Sequence, residues 1–239
     1  MEEKILGKKS LLNLISELEK YESSNKDILS AYLTPGSSLI EKIPSEIRYE
    51  TEKFLSKSAL GVVCFYWNKN NLQLLIIPPF PVKDELYFDY KFRTEQIKSL
   101  LVRKYKLGII LLRAGEYAIG IFDGDKLIKS KCGKRFVRRK HRKGGFSQAR
   151  FARGREVQIK QFFDEVYSML RRFESYFPQL DFVLFGGTKL TIKKFLKRDN
   201  LIKKIKEKML SKTLAVGEIN KKALEKILIE VFKTKVIYL

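Results

Sequence analysis

Histidine and cysteine are scarce in this 239-residue chain, which has one of the first and two of the second. A Cys/His zinc site takes about four ligands, so zinc-based function within one chain lacks its donors. Cys64 and Cys132 stand far apart and give no disulfide framework. Long apolar runs are missing too: stretches such as Leu107–Leu112 fall far short of the ~18–20 residues of a membrane span. Met1-Glu2-Glu3-Lys4 is no basic leader before an apolar block, so no secretory signal is expected. These absences describe a reduced, cytoplasmic chain with no metal, no cofactor and no membrane partner. Hydrophobic residues nevertheless make up 44%, which excludes wholesale disorder.

Acidic residues are also short: 49 Lys and Arg face 27 Asp and Glu, a net charge of +22. Such an excess repels itself in a compact state and calls for a polyanion. Nucleic acid comes first, because bound cations displace its condensed counterions; an anionic membrane surface comes second. The shortage is total between Lys126 and Arg155, where thirty residues hold thirteen Lys or Arg and no acid. An ordinary charged helix face mixes signs and carries i,i+4 Glu–Lys pairs. An acid-free stretch instead suits phosphate.

That stretch has an internal order. A basic run (Arg135, Arg138, Arg139, Lys140, His141, Arg142, Lys143) precedes the pair Gly144-Gly145; then come Phe146, Ser147 and Gln148, and Arg150, Arg153 and Arg155 at helical spacing. From Ile159 through Phe162, Phe163, Val166 and Leu170 to Phe177 the same period continues. It predicts a helix from Ser147 to about Tyr176, stopped by Pro178, with partial positive charge at its N-terminal amides. Two glycines before it open backbone conformations closed to other residues.

Elsewhere, strands are expected at 28–33, Ala59–Trp67, Leu72–Ile77, Leu107–Leu112, Tyr117–Phe122, Lys126–Ser130 and Phe182–Phe185. Helices are expected at 10–22, 37–57, Thr94–Tyr105, Leu201–Met209 and Ile219–Phe232, and Val236–Leu239 as a closing edge strand. This is an α/β chain: an α+β N-terminal lobe over residues 1–105 and, over 106–239, a mixed sheet flanked by helices.

Most residues that could carry chemistry have a plainer explanation. The single His141 has no acidic neighbour to orient it, against a nucleophilic triad. Gly186-Gly187-Thr188-Lys189 lacks Walker spacing and reads as a strand-to-helix turn with Thr188 as N-cap. Glu116, Asp123 and Asp125 read as turn residues rather than nuclease magnesium ligands. Gln148 is left: an amide is neither acid nor base, but it can hold and orient a water, while backbone N–H groups stabilise an oxyanion.

Lys140-His-Arg-Lys-Gly-Gly-Phe-Ser-Gln-Ala-Arg-Phe-Ala-Arg153 resembles the central-domain motif of archaeal and eukaryotic class-1 peptide-chain release factors. There a Gly-Gly-Gln tip is followed by Ser, two residues and Arg-Phe-Ala-Arg. The likeness extends over Tyr117–Lys131 and Asp181–Leu196; Leu11–Pro35 and Phe65–Leu101 look like a reduced N-terminal domain. Here Phe146 follows the glycines, and the glutamine stands two places on, at Gln148. The pattern Gly-Gly-x-Ser-Gln is similar to the Vms-like branch, the peptidyl-tRNA hydrolases of ribosome-associated quality control. The stretch from Pro35 to Leu60 is too brief for the codon-reading hairpin, and a third, GTPase-recruiting domain would begin where the chain ends at Leu239.

The resemblance implies a codon-independent peptidyl-tRNA hydrolase working as a monomer on the large ribosomal subunit. Gln148 would place water, Gly144 and Gly145 would permit entry, and Ser147 would support the tip or cap the helix. Arg135, Arg138, Arg139, Lys140, His141, Arg142, Lys143, Arg150, Arg153 and Arg155 would track rRNA or tRNA phosphates. The alternatives are a non-catalytic RNA- or ribosome-binding protein on the same site and a metal-dependent nuclease.

Overall fold

The computed structural model describes residues 1–139, 147–197 and 200–239, the side chains of 147 and 200–202 excepted. The first elements are β1 (Glu2–Leu6), α1 (Lys8–Leu18), β2 (Ile28–Leu33), α2 (Ser45–Leu55), β3 (Val62–Trp67), β4 (Leu72–Ile77), β5 (Glu85–Asp89) and α3 (Glu95–Val102). There follow β6 (Lys106–Arg113), β7 (Glu116–Asp123), β8 (Lys126–Lys134), α4 (Ser147–Arg171), β9 (Phe182–Gly187) and α5 (Lys189–Phe195). The last are α6 (Asn200–Glu207), β10 (Met209–Leu214), α7 (Lys221–Lys226), α8 (Leu228–Val231) and β11 (Thr234–Tyr238). The α/β reading holds, in two units: Met1–Arg103 with Ile229–Leu239, and Lys104–Leu228.

The first unit is a six-stranded sheet in the order β1-β11-β4-β3-β2-β5, antiparallel at every pair. Strand alternation sends Val62, Cys64 and Tyr66 toward Ile47, Phe54 and Leu55 of α2. Phe65 faces the other way and meets the rings of Tyr32 and Phe92 edge-on, at 6.2 and 5.4 Å between centroids. All six residues of β2 are buried. Between β2 and β3 stand a 3-10 turn, Ser38–Lys42, and α2 alone.

The expected boundary at residues 105/106 needs a correction at the far end of the chain. β11 is no edge strand of the second lobe but pairs with β1 on one side and β4 on the other. Its alternation is the same whichever sheet receives it, so local pattern does not choose the partner. The expected helix 219–232 is two short helices, α7 and α8.

The second unit has the order β10-β9-β6-β7-β8. β6, β7 and β8 form an antiparallel meander, while β9 lies parallel to β6 and β10 parallel to β9. Parallel neighbours need a long crossover, and α4 is the one from the meander to β9. One sheet face (Ile110, Leu112, Tyr117, Ile119, Ile121) packs against Phe162, Phe163, Val166, Tyr167 and Leu170 of α4, Phe195 of α5 and Ile205 of α6. The turn out of β9 requires glycine: Gly187 has φ +104°, and a Cβ there would lie 2.3 Å from the Leu112 carbonyl oxygen. Thr188 stands at the N-cap of α5 without a side-chain cap hydrogen bond. Among the described residues, no helix is long and apolar enough to cross a membrane.

Candidate nucleic-acid interface

The acid-free stretch begins on β8 and is anchored before it leaves the sheet. Tyr117 is buried beneath β8, and a Cβ on Gly133 would lie 2.3 Å from its ring. Burial, with the Glu165 carboxylate beside it, pushes Tyr117 up to about 12. Beyond β8, the Arg135 N–H donates to the Gly115 carbonyl at 2.8 Å.

From Arg135 to Arg138 the chain is strapped along α4. The Arg135 guanidinium donates through Nη2 to Gln161 Oε1 at 3.0 Å, and its Nη1 lies 3.6 Å from Glu165 Oε2. The Arg138 backbone is held at both groups: its N–H donates to Gln158 Oε1 at 3.0 Å, and its carbonyl accepts from Arg155 Nε at 2.8 Å. Residues 155, 158, 161 and 165 repeat at three and four, one face of a helix. Val137 turns inward against the core, while Phe136 is 74% exposed. The Arg138 guanidinium lies over the Phe151 ring, 5.8 Å from its centroid.

α4 begins at Ser147, as its sequence pattern predicts. It ends at Arg171 rather than Tyr176, and a 3-10 turn, Glu174–Gln179, carries Pro178. From Gln148 to Gln161 no residue is buried; burial starts at Phe162. Ile159 is half-buried against that core, so at ~1.5 Å per residue roughly 15 Å of helix, residues 148–158, stands ahead of the first core contact. Gln148 is exposed in the first turn, which has no acidic residue.

The expected phosphate contacts separate into groups. Arg135 and Arg155 are engaged in the strap, and Arg138 is engaged through its backbone with its guanidinium over Phe151. Arg139, Arg150 and Arg153 are exposed and have no ion-pair partner among the described residues. Lys140, His141, Arg142, Lys143, Gly144, Gly145, Phe146 and the Ser147 side chain lie outside the described residues. Sequence reasoning missed Gln158, Gln161 and Glu165; their spacing along α4 is the only signal that marks them. Among the described residues, no group of three His, Cys, Asp or Glu is placed to hold a metal.

A bare, arginine-bearing helix start is built to meet an anion. A family model described as an Actinobacteria/Chloroflexi VLRF1 release factor matches residues 105–237, more than half the chain. The chain belongs to the VLRF1 release factor family. Its resemblance to release factors, carried by the Gly-Gly-Phe-Ser-Gln stretch, holds at that level. Peptide chain release factor subunit 1 of Archaeoglobus fulgidus is 25% identical over 232 residues, covering 82% of this chain and 56% of that protein. Its counterpart in Methanopyrus kandleri is 35% identical over 138 residues, 57% of this chain and 34% of that one. The chain thus spans about half or less of these curated relatives. Among solved structures, the archaeal translation termination factor aRF1 is 18% identical, over 95% of this chain and 73% of that one, with a TM-score of 0.36. The Vms1 mitochondrial localization core is 11% identical over 82% and 86%, with a TM-score of 0.44.

Proposed function

We propose that this member of the VLRF1 release factor family is a codon-independent peptidyl-tRNA hydrolase that frees nascent chains stranded on the large ribosomal subunit. The observation that carries the reading is Gln148, exposed in the first turn of a helix whose start has neither core contact nor acid. In the reaction one water adds across the ester between peptide and tRNA. The peptide leaves with its carboxylate and the tRNA regains its ribose hydroxyl. The Gln148 amide orients that water by accepting from it and donating to it. Free N–H groups of the first helical turn stabilise the oxyanion of the tetrahedral intermediate.

Arg139, Arg150 and Arg153 hold RNA phosphates on the two sides of the tip, with Arg138 and Phe151 as a base for that surface. Lys140, His141, Arg142 and Lys143 extend it, Gly144 and Gly145 give the tip its joint, and Ser147 supports the helix start. Independence of a codon is supported by the single eleven-residue helix between β2 and β3, which leaves no long hairpin to reach a decoding site. The site of action is cytoplasmic, and the working form is a monomer.

The test is release of labelled peptide from isolated large subunits carrying peptidyl-tRNA, with puromycin as the control for competence. Gln148→Ala lowers release at least a hundredfold, the scale on which one catalytic group acts, and leaves sedimentation with the subunit unchanged. Release at the wild-type rate would overturn the assignment. Phe146, standing where release factors carry glutamine, favours a second reading, a non-catalytic occupant of the same site. That reading gains if the unaltered protein binds the subunit and releases nothing.

A further inference from the structure

Beyond the thirteen charges of residues 126–155, the chain keeps +9, and almost all of it lies in one other place. Residues 189–212 hold ten Lys or Arg against Asp199 and Glu207, a net +8. The remaining 185 residues have 26 basic and 25 acidic side chains and are all but neutral. A generally lysine-rich composition would spread its excess; this chain gathers it twice.

The second gathering is carried by α5, α6 and the chain next to them. Lys189, Lys193, Lys194, Lys197, Lys203 and Lys206 are exposed, and none has a hydrogen-bond or ion-pair partner among the described residues. Two neighbours show what a structural lysine looks like here. Lys204 pairs with Glu174 at 2.9 Å, and Lys208 donates to the carbonyls of Phe177, Pro178 and Leu180 at 2.6–3.0 Å. The six others have no such duty among the described residues. Lys189 even stands in the first turn of α5, which has no acid, where the helix dipole disfavours a cation. Like charges one turn apart destabilise a helix, and Lys189 with Lys193 in α5, and Lys203 with Lys206 in α6, are such pairs.

Packing fixes where this surface lies. Phe195 of α5 stacks on Tyr167 of α4 at 4.7 Å between centroids, and the Tyr167 hydroxyl donates to the Phe195 carbonyl at 3.0 Å. Tyr167 is nineteen residues along α4 from Gln148, or about 28 Å at ~1.5 Å per residue. One phosphate cannot meet both gatherings. Ile192 and Phe195 of α5 and Ile205 of α6 face the core, which leaves the lysines on the outer side.

We propose that the outer faces of α5 and α6 are a second RNA-phosphate surface, separate from the tip and held a fixed distance from it by α4. Two anchors joined through one helix set direction as well as attraction, and the second binds at the effective concentration imposed by the first. The inference shares with the proposed function only the choice of RNA as the polyanion.

The experiment measures binding of the full chain to isolated large ribosomal subunits across a potassium chloride series. Each phosphate contact contributes ~0.7–0.9 to the slope of log K against log salt. Lys193→Gln/Lys194→Gln/Lys197→Gln lowers that slope by about two, and Lys203→Gln/Lys206→Gln lowers it by about one or more, with unchanged melting temperatures. An unchanged slope in both variants overturns the proposal. So does lysine-dependent binding to phosphatidylserine vesicles with subunit binding intact, which would assign the surface to a membrane. Gln148→Ala leaves the slope as it was; wild-type release by that variant would remove the hydrolase and leave the second surface standing.

Discussion

The two halves of α4 belong to one helix and are held in place by different forces. From Phe162 onward the helix buries Phe162, Phe163, Val166 and Leu170, each no more than 3% exposed. From Gln148 to Gln161 no residue is fully buried, and Ile159 rests half-buried on the core. The C-terminal half is helical because burial offsets its ordering, as in most protein helices. The N-terminal half relies on Ala, Arg and Gln, which are good helix formers, and on the strap to residues 135–138. The proposed chemistry falls on the half whose packing does not depend on being covered.

That contrast breaks most readily at the junction of the halves. Phe162→Ala removes a ring with no exposure and costs about 3–5 kcal/mol, seen as a lower melting temperature of the second unit; a loss below ~1 kcal/mol would mean that the junction is not core. Gln158→Ala strips the acceptor from the Arg138 N–H and costs about 0.5–1.5 kcal/mol. Its mark is faster amide exchange over 148–155 with the exchange of 162–170 unchanged. Equal acceleration in both halves would deny the strap a local role. Smallest, and opposite in sign, is Gly154→Ala. No atom lies within 4 Å of the added Cβ, so the exposed helix gains about 0.5–1 kcal/mol and exchanges more slowly there. A loss of stability would show that glycine serves a conformation other than helix at that point.

Much of this was legible in the sequence because it is local. The basic run, the glycine pair and the helix start at Ser147 are signals of charge and period within thirty residues. The strap was not, since Gln158 and Gln161 look like any polar face until Arg138 and Arg135 are laid beside them. β1, β5 and β10 were missed for a similar reason. Glu2–Leu6 is mostly charged and exposed, Glu85–Asp89 is five residues long, and Met209–Leu214 follows a helix closely enough to read as its end. The lysines of 189–206 were visible throughout. Interleaved with Ile192, Phe195 and Ile205, they have the spacing of the wet side of ordinary helices, and it takes the structure to show that six of them have no partner among the described residues.

The strand at Thr234–Tyr238 bears on the order in which the chain acquires its shape during synthesis. Among the described residues β1 has no strand neighbour other than β11, and β11 also covers the edge of β4. All of 104–228 is polymerised before that strand exists. The second unit therefore has its whole sequence in hand first, while the unit begun earlier must wait with an uncovered strand until residues 234–238 emerge. Its closing step reverses the usual head-to-tail sequence of domain formation and ties the maturation of the N-terminal sheet to the synthesis of the whole second unit.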